Sequence, residues 1–581
     1  MNVEVVLIDS LSFSNVGINP QIGLLSLAQV LEKEYTVKVV NFDLLWFEGK
    51  LRQSQNLDET LLDCSKYIVE MEPKVIGFYT ICDSYPLTVL LAKKLKEISK
   101  DSIILFGGPQ ASLTAKESLK KFEFIDYICV GEGELIILPL VRAIIGQKFC
   151  EIKTVNNLVY RDSGIIKSNA LLPPIEDDLS KYTVKNYREF AGLFRGTMSI
   201  EVGRGCPFQC TFCSTSLFWG RHFRVKKADQ IVEEMNYFHR KFNISTFKFE
   251  HDMFTADKAF IISFCQTLIA QKLPYTWTCS SRIDVLDDNI MDLMSKAKCS
   301  KIYVGVESGS QRIQKKTNKD LDLKKVKHNI VGLHRRGIAV TASFIYGFPD
   351  ETICDLKETL ELISFLYLNG ITNIQLHMFI PLPVTEELNK VQNELYFDSD
   401  KIDLGIYHAG IFNEEVKELI VHSPEIFPQF YTFPSQVRDE NISLGLFIMY
   451  LSNSFEYFPC CLKYLIKKLG LYDLYWRWSY YLTRLMKETT LNHEINNIEN
   501  KYQQTYKFMS DRIRCEAQKY NDQILIDYFD AESQIVEFRT SDEKVKAFEF
   551  HFDYDEAKNS GKYIKKTSFI LMKKKINVDY S

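Results

Sequence analysis

Residues 201–213 read Glu201-Val-Gly-Arg-Gly-Cys206-Pro-Phe-Gln-Cys210-Thr-Phe-Cys213 and place three cysteines on one short loop. Three thiolates at this spacing can ligate three irons of a cubane cluster and leave the fourth iron open. A cluster with four cysteines is coordinatively complete and mainly passes electrons, whereas an open iron can bind a substrate or cosubstrate. The loop therefore predicts a reactive 4Fe-4S site held by Cys206, Cys210 and Cys213.

Two other interpretations of these cysteines stay open at this point. Zinc would require a fourth Cys or His at finger spacing, and the nearest candidate is His222. Alternatively, the three thiols are unrelated buried side chains.

The composition is that of an ordinary globular protein. The 581 residues are 46% hydrophobic and 25% charged, which suits roughly two to four domains. The net charge of −4 means that the whole molecule has no excess of positive charge to attract nucleic acid, so we expect no nucleic-acid partner. The 14 cysteines are scattered along the chain, and we expect reduced thiols plus one cluster instead of a disulfide framework.

We expect a cytoplasmic protein with no transmembrane segment. The start, Met1 to Asp9, carries acids within its apolar run and is typical of a strand, not of a signal peptide. The most apolar later stretch runs from Leu444 to Ile466, but Glu456, Pro459 and Lys463 interrupt it.

Residues 1–150 alternate between short apolar runs and segments with helical spacing, which predicts a parallel sheet with helices on both faces. The predicted strands and helices are Val3 to Ile8, Ile22 to Leu31 (helix), Val37 to Phe42, Val75 to Tyr79, Tyr85 to Ile98 (helix), Ile103 to Phe106 and Tyr127 to Val130. Such sheets bind ligands beyond the carboxyl ends of their strands, where Gly107, Gly108, Gly131 and Gly133 would lie. Glycine lets a bulky ligand approach the backbone, but a tight turn explains such glycines equally well.

Residues 151–184 are predicted to be a connector, because they contain Asp162-Ser-Gly164 and Pro173-Pro174. Residues 185–390 then contain six strand-helix units in series, which indicate a β/α partial barrel whose functional residues follow the strands. The predicted strands are Thr197 to Val202, Thr246 to Phe249, Tyr275 to Ser280, Lys301 to Val306, Ala339 to Ile345 and Ile374 to Phe379.

The cysteine motif, with Phe212 before its last cysteine, resembles that of the radical S-adenosylmethionine (radical SAM) enzymes. Three stretches in front of it, Asn19-Pro20-Gln-Ile-Gly23, Gly107-Gly-Pro-Gln-Ala111 and Gly131-Glu-Gly-Glu134, are similar to the cobalamin-binding Rossmann-like domain of class B members. The resemblance covers about residues 1 to 390 and implies a 4Fe-4S cluster, SAM, cobalamin and an electron donor such as flavodoxin or ferredoxin.

The first domain departs from the family pattern in two ways. It has no Asp-x-His-x-x-Gly signature, so no histidine is nominated as a lower cobalt ligand. Gln110 stands where many relatives carry His. The resemblance implies that Gly107, Gly108, Gly131 and Gly133 line the cobalamin.

For SAM, the resemblance implies contacts from Phe212 of the cysteine motif and from residues at successive strand ends of the barrel. The strand-end residues are Asp252, Ser280, Arg282 and Glu307. Carboxylates and hydroxyls suit the ammonium and ribose of SAM, and Arg282 can pair with its carboxylate. His251 either contacts substrate or is satisfied by a backbone carbonyl. The turn Gly347-Phe-Pro-Asp-Glu-Thr352 also resembles a family motif.

Residues 391–581 contain no motif that we can name and are predicted to form a helical and β extension of the α/β core. The aromatic stretch from Leu444 to Leu485 favours packing over a lipid-contacting helix, and Cys460-Cys461 is predicted to be a pair of buried thiols. Short strands are predicted at Ile524 to Tyr528, Gln534 to Phe538, Lys546 to Phe552 and Lys566 to Met572.

The leading functional prediction is a cobalamin-dependent radical SAM methyltransferase that acts on an unactivated carbon of a small molecule or peptide. A non-methylating rearrangement, cyclisation or peptide epimerisation is the second enzymatic possibility. A non-enzymatic iron-sulfur sensor is the third. A natural product, a ribosomal peptide, a lipid and a tetrapyrrole all remain open as substrates.

Overall fold

The computed structural model describes residues 3–11, 21–54, 56–175, 178–184, 196–402, 413–491, 498–540, 545–552, 554–560, 562–563 and 565–573. Asn19 and Pro20, in the first of the stretches that are similar to the cobalamin-binding domain, lie outside these residues.

The N-terminal region is built on a seven-stranded sheet in the order β2-β1-β3-β4-β5-β6-β7. Its strands are β1 (Val5–Ile8), β2 (Val37–Val40), β3 (Val75–Tyr79), β4 (Ile103–Gly107), β5 (Tyr127–Cys129), β6 (Leu158–Asp162) and β7 (Ile165–Ser168). The first five strands pair in parallel, whereas β6 and β7 add an antiparallel hairpin. Part of the predicted connector is therefore the edge of this sheet.

Helices cover both faces of the sheet. They are α1 (Ile22–Leu31), α2 (Phe42–Phe47), α3 (Leu57–Val69), α4 (Tyr85–Ile98), α5 (Pro109–Leu113), α6 (Ala115–Lys121), α7 (Ile137–Ile145) and α8 (Phe149–Ile152). Val5 and Leu7 pack into one hydrophobic cluster and Val6 and Ile8 into another, and all four are buried. A strand buried on both faces is typical of a parallel sheet between two helix layers.

The second region is built on a six-stranded parallel sheet in the order β15-β14-β13-β12-β11-β8. The strands of this region, including a short pair β9 and β10 outside the sheet, are β8 (Thr197–Glu201), β9 (Gly203–Arg204), β10 (Arg224–Val225), β11 (Thr246–Glu250), β12 (Thr276–Ser281), β13 (Cys299–Glu307), β14 (Ala339–Tyr346) and β15 (Ile374–Met378). The sequence-based strands agree with the observed strands of the sheet to within two residues.

Helices follow the strands of this sheet in turn. They are α9 (Thr215–Phe218), α10 (Ala228–Phe242), α11 (Lys258–Ala270), α12 (Asp288–Lys296), α13 (Gln311–Lys316), α14 (Leu323–Arg335), α15 (Ile353–Leu368) and α16 (Glu386–Val391). Helix α15 begins at the turn Gly347 to Thr352. There Thr352 and Asp355 form a capping box, and Glu351 accepts the backbone N–H of Phe348 at 3.0 Å. These contacts give the turn a helix-capping function.

The remaining elements are mostly helical. They are α17 (Glu414–Val421), α18 (Gln436–Glu440), α19 (Leu444–Ser454), α20 (Pro459–Leu469), α21 (Leu471–Leu491), α22 (Ile498–Tyr520), α23 (Gln523–Thr540), β16 (Val545–Phe552), α24 (Tyr554–Ser560) and β17 (Lys565–Lys573). The predictions of strands at 524–528 and 534–538 were wrong, because both lie within helix α23. The predicted strands at 546–552 and 566–572 correspond to the antiparallel pair β16 and β17.

The chain divides into two compact units. The first contains Met1–Ile302, Lys315–Asp320 and Phe379–Ser435, and the second contains Tyr303–Gln314, Leu321–Met378 and Gln436–Ser581. In the first unit, residues of helix α17 and the segment after it, such as Val416 and Phe427, complete the hydrophobic cluster on one face of the N-terminal sheet. Within the described parts of the chain, no helix combines the length and the apolar character needed to cross a membrane.

Candidate active site

The three cysteines lie on a loop that starts at the end of β9. The antiparallel pairing of Arg204 with Arg224 and of Gly203 with Val225 closes the base of this loop. Within it, the Cys213 backbone N–H donates to the Cys210 carbonyl at 3.2 Å. Cys206, Cys210 and Cys213 are all partly exposed, and none forms a disulfide.

Neighbouring segments of the first unit anchor the loop at several points. The Thr211 backbone N–H donates to the Thr317 carbonyl at 3.0 Å, and the Thr211 hydroxyl donates to Glu387 Oε1 at 2.6 Å. The Asn318 amide donates to the Gln209 carbonyl at 2.9 Å. The cysteine loop is therefore held by fixed partners and has a defined shape.

Arg282 contacts the same loop from the end of β12. Its guanidinium carbon lies 4.2 Å from the centroid of the Phe208 ring, and its Nε donates to Asp284 at 2.8 Å. The guanidinium also donates to the Lys319 carbonyl. Arg282 is buried, so this stacking takes place away from bulk water, where a cation–π contact is strongest.

The chemistry of the donor set fits a cubane cluster. Sulfur ligands on a single loop are typical of iron-sulfur sites. Each thiolate of a cubane binds its own iron, so the three ligands need not converge on one point. In the described parts of the chain, no three His, Cys, Asp or Glu side chains are placed to hold one metal ion. The structure therefore adds no support for a zinc site among these residues.

The barrel strands of the first unit present two different faces. Phe247, Phe249 and Trp277 are fully or almost fully buried on one face, and the Phe249 and Trp277 rings contact Phe264 of helix α11. The side chains on the other face are polar and less buried; they are Ser199, Glu201, Lys248, Glu250, Thr278 and Ser280. Because side chains alternate along a strand, this polar face carries the predicted SAM contact Ser280. The face is suited to a polar ligand.

Asp252 follows strand β11 and reaches the cysteine loop. Its carboxylate accepts hydrogen bonds from the Gly205 backbone N–H and from the Trp219 side chain. Although the residue is exposed to solvent, surrounding atoms crowd the carboxylate, and the resulting desolvation raises its pKa against the effect of these hydrogen bonds. Asp252 is therefore held against the cysteine loop by these two hydrogen bonds.

The Asp252 carboxylate also lies near the N-terminal sheet. Burial raises the pKa of Tyr79, at the end of β3, and nearby carboxylates raise it further, with Asp9, Asp83 and Asp252 among them. The charge of Asp252 therefore acts on a side chain at the carboxyl edge of the other sheet. Tyr79 ends β3 and Asp252 follows β11, so this interaction links one strand end of each sheet.

The glycines at the carboxyl edge of the N-terminal sheet differ in what they require. Gly108 has a φ of 97°, and a Cβ there would lie 2.7 Å from the Thr80 carbonyl oxygen, so its own turn demands glycine. Gly107 has neither constraint, because a Cβ there would meet only Cys129 atoms, at 3.9 Å. Gly131 and Gly133 lie in the loop after β5, where the Gly131 N–H bonds Ser112 at 3.1 Å. A Cβ at Gly107 would thus make only ordinary contacts, so the fold of the protein itself does not require glycine at this position.

Glu307 ends strand β13 in the second unit and has a left-handed backbone, with a φ of 66°. The Gln314 side chain holds this conformation, since its amide donates to the carbonyls on either side, Val306 at 2.8 Å and Ser308 at 2.6 Å. Such strain in a non-glycine residue is often found at functional sites. Gln314 was not singled out from the sequence.

His251 is satisfied within the protein. Its Nδ1 accepts the backbone N–H of Met253 at 2.8 Å, which leaves Nε2 to donate to the Arg224 carbonyl at 3.1 Å. Burial lowers the pKa of His251 to about 4, so the ring is neutral at physiological pH. Of the two interpretations of His251, the geometry supports the structural one.

A buried ion cluster immediately precedes the cysteine loop. The Arg204 guanidinium bonds Glu134 at 2.6 Å and Glu201 at 2.8 Å, and it lies 3.6 Å from Glu132. The ring of Trp219 covers Arg204 at 5.9 Å. The stretch Gly131 to Glu134 was singled out from the sequence for its glycines, whereas the role of its two glutamates was not predicted. No local spacing indicates that these acids meet an arginine 70 residues later.

Two family models match the chain. The B12-binding domain model matches residues 14–140, and the radical SAM superfamily model matches residues 200–363. The chain therefore belongs to the radical SAM enzymes that carry an N-terminal B12-binding domain.

Several named relatives are similar in sequence. An uncharacterized methyltransferase of Pyrococcus horikoshii is 27% identical over 346 residues, which cover 59% of this chain and 72% of that protein. An anaerobic magnesium-protoporphyrin IX monomethyl ester cyclase of Rubrivivax gelatinosus is 29% identical over 302 residues, which cover 50% of this chain and 54% of that protein. The chain thus matches little more than half the length of the cyclase.

Solved structures share the fold. The radical SAM methyltransferase TsrM from Kitasatospora setae, with cobalamin and a 4Fe-4S cluster bound, has a TM-score of 0.60 at 14% identity and covers 85% of this chain and 100% of its own. The cobalamin-dependent radical SAM enzyme OxsB, with aqua-cobalamin bound, has a TM-score of 0.58 at 16% identity and covers 96% of this chain and 83% of its own.

Proposed function

We propose that this protein is a cobalamin-dependent radical SAM methyltransferase that methylates an unactivated carbon of a small molecule or peptide. The observation that carries the proposal lies within the first unit. The loop with three partly exposed thiols adjoins the glycine-bearing loop after β5, because Arg204, two positions before Cys206, bonds Glu134 at 2.6 Å. A cluster and a corrinoid bound there would face the same substrate.

In this proposal Cys206, Cys210 and Cys213 ligate the cluster. SAM is held by Phe212, Asp252, Ser280, Arg282 and Glu307. Cobalamin lies against Gly107, Gly108, Gly131 and Gly133, with no protein histidine on cobalt. When bound, the cluster with SAM supplies a carbon-centred radical and the cobalamin supplies a methyl group.

In this proposal, side chains of the protein bind SAM and orient it. The polar face around Ser280 offers hydrogen bonds to ribose and amino acid groups, and the Arg282 cation keeps the cysteine loop in place through Phe208. The strained turn at Glu307 presents a carboxylate in a fixed position, because Gln314 holds the backbone on both sides of it. Such fixed polar groups reduce the cost of ordering SAM when it binds.

The physiological setting is also part of the proposal. We propose a cytoplasmic enzyme that receives electrons from a donor such as flavodoxin or ferredoxin and that has no nucleic-acid partner. The net charge of −4 supports the last point, since proteins that bind nucleic acid commonly display an excess of basic residues.

A substitution series at Gly107 tests cobalamin binding. The protein is expressed with cobalamin supply, purified without oxygen and analysed for corrinoid and iron. Gly107→Ala should retain the corrinoid, because its Cβ meets ordinary contacts, whereas Gly107→Leu should lose it and keep the cluster. Gly108 is unsuitable for this test, since any side chain there strains the protein itself.

Methyl transfer is tested with methyl-labelled SAM and small-molecule and peptide fractions of the host. The proposal expects a labelled product that depends on the corrinoid. A protein that is active without cobalamin would overturn the methyltransferase assignment.

A non-methylating radical reaction is the second candidate. It is favoured by the similarity to the Rubrivivax cyclase, whose identity of 29% is as high as that to the methyltransferase relative. A product that is oxidised or cyclised, and that carries no label from SAM, would support this candidate.

A further inference from the structure

Five charged side chains form one cluster in the first unit, between the glycine-bearing loop after β5 and the start of the barrel. They are Glu132, Glu134, Glu201, Arg204 and Arg224. Glu132, Glu134 and Arg204 expose at most 6% of their side chains, Arg224 exposes 14% and Glu201 exposes 17%. Charges taken out of water in this way are costly unless they are paired and hydrogen-bonded.

The cluster joins five separate segments of the chain. Glu134 accepts the Ser26 hydroxyl of helix α1 at 3.0 Å as well as the Arg204 guanidinium. Glu132 pairs with Arg224 and accepts the Ile175 backbone N–H at 2.9 Å. The Ile175 carbonyl in turn accepts Arg224 at 2.7 Å. Two guanidinium groups and three carboxylates are thus tied to helix α1 and to the connector.

Arg204 and Arg224 also form the base of the cysteine loop. They are paired residues of β9 and β10, and the Trp219 ring within the loop lies 5.9 Å from one guanidinium and 5.7 Å from the other. Arg204 stands two positions before Cys206. A movement of the loop after β5 would therefore pull directly on the strand pair from which the cysteines extend.

We propose that this ion cluster sets the position of the B12-binding domain relative to the cysteine loop, with Glu132 and Glu134 as positioning residues. This inference rests on the proposed function, because it concerns the separation of a corrinoid and a cluster. Salt bridges of arginine are directional, because the planar guanidinium holds its N–H donors in a fixed geometry. A purely apolar contact would allow the two parts to slide.

Charges at this junction favour one arrangement of the B12-binding domain relative to the cysteine loop. A buried ion pair contributes little net stability compared with apolar residues of the same shape, but a wrong arrangement leaves an unpaired charge out of water. A different placement of the two parts would separate these oppositely charged side chains. The cluster therefore excludes alternative placements of the corrinoid near the reacting centre.

Magnetic resonance on the complete enzyme tests this inference. The protein is loaded with iron, sulfide and hydroxocobalamin, and it is reduced so that the cluster and cobalt(II) are both paramagnetic. Their dipolar coupling falls steeply with separation, so it reports the placement without any need for turnover. The variants are Glu134→Gln, Glu132→Gln, Arg204→Lys and Arg204→Met. The control is Glu34→Gln, which breaks the exposed Arg142 pair on the same domain.

We expect one defined coupling in wild type and in Glu34→Gln. In Glu134→Gln and Glu132→Gln we expect a weaker or broadly distributed coupling, with iron and corrinoid contents unchanged. Arg204→Lys retains the charge and should restore part of the defined coupling relative to Arg204→Met. An unchanged coupling in both glutamine variants would overturn the inference.

Loss of corrinoid from wild type would instead overturn the proposed function, so the two failures are distinguishable. If Arg204→Met does not fold, the glutamine variants remain decisive, because they keep the size of each side chain and one acceptor oxygen while they remove the charge.

Discussion

Arg282 was predicted to pair with the carboxylate of SAM, and its contacts add a second role at the cysteine loop. The side chain stacks on Phe208 at 4.2 Å and is fixed by Asp284 at 2.8 Å. Phe208 lies between Cys206 and Cys210. Arg282 is therefore both a candidate SAM ligand and a support of the loop that bears the cluster ligands.

Replacing Arg282 should separate these two roles. Arg282→Ala removes the stacking cation and should lower both SAM affinity and the iron retained after reconstitution, whereas Phe208→Ala should lower mainly the iron. Loss of a charged hydrogen bond costs about 1.5 to 3 kcal/mol, or about ten- to a hundredfold in SAM affinity. Iron assays and equilibrium dialysis with SAM measure the two quantities. Full iron retention in both variants would contradict the support role.

Gln314 offers a test of the strained turn at Glu307. Gln314→Leu removes both hydrogen bonds to the carbonyls of Val306 and Ser308, so Glu307 should leave its left-handed conformation. We expect SAM affinity to fall about tenfold while the cluster spectrum is unchanged. The matched control is Gln311→Leu on the same helix, where the side chain is exposed. Equal SAM affinity in the two variants would show that the turn does not contribute to SAM binding.

At this scale, the sequence could predict residues whose role depends on local spacing. The three cysteines and the acids at strand ends belong to that group, and their roles as ligands stay predictions. Glu134 and Gln314 do not, because their partners, Arg204 and the Glu307 turn, are recognised only once the chain has folded. The environment of His251 was likewise open, since a buried and an exposed histidine look the same in one sequence.

Among the elements, helix α20 begins with an unusual cap in the second unit. The fully buried carboxylate of Glu532, on helix α23, accepts the backbone N–H groups of Cys460 at 2.6 Å and Cys461 at 3.2 Å. Burial raises the pKa of Glu532 from its ordinary value of 4.5 to about 7, although these hydrogen bonds oppose the shift. The protonated form is therefore the one that the fold prefers.

This cap predicts a pH dependence of stability. Because the pKa of Glu532 is higher in the folded protein than in the unfolded chain, its contribution is complete below about pH 4.5 and is lost as the pH rises to about 7. A pKa shift of that size corresponds to a change of about 3 kcal/mol in the free energy of unfolding. Glu532→Gln cannot ionise, so the variant should gain stability relative to wild type between pH 4.5 and 7.

Thermal unfolding of both proteins at several pH values measures this difference. Asp530→Asn, at an exposed position of the same helix, is the control and should follow wild type. A constant difference between wild type and Glu532→Gln over the whole range would contradict the assignment.

The elements also show where periodicity suffices and where it does not. Helices α1 and α4 begin and end where their apolar spacing predicts, and each strand of the barrel was found. Helix α23 was mistaken for two strands, because its segments 524–528 and 534–538 are rich in β-branched and aromatic residues. Its buried residues Leu525, Tyr528, Glu532 and Ile535 instead follow helical spacing. A buried glutamate within this row concealed the pattern.

For the whole molecule, the two matched family models divide the chain into a B12-binding part and a radical SAM part. The B12-binding model covers residues 14–140 and the radical SAM model covers residues 200–363, so about half of the chain carries the cofactors. The sequence could predict this division because each domain has its own motif and its own strand-helix alternation. It could not predict that residues 413–435 return to the N-terminal sheet. One contact of this return is the hydrogen bond from the Gln110 amide to the Ile426 carbonyl, 2.8 Å long, which joins residues 316 positions apart. No local sequence pattern indicates a contact over such a distance along the chain.

The central claim is that Cys206, Cys210 and Cys213 alone hold a 4Fe-4S cluster with one open iron. Electron paramagnetic resonance of the reduced, reconstituted protein, recorded with and without SAM, tests it most directly. We predict a cluster signal that changes when SAM is added, that is lost in each Cys→Ala variant of the three, and that persists in Cys460→Ala and in Cys515→Ala. A SAM-responsive signal that survives replacement of Cys206, Cys210 or Cys213 would contradict the account.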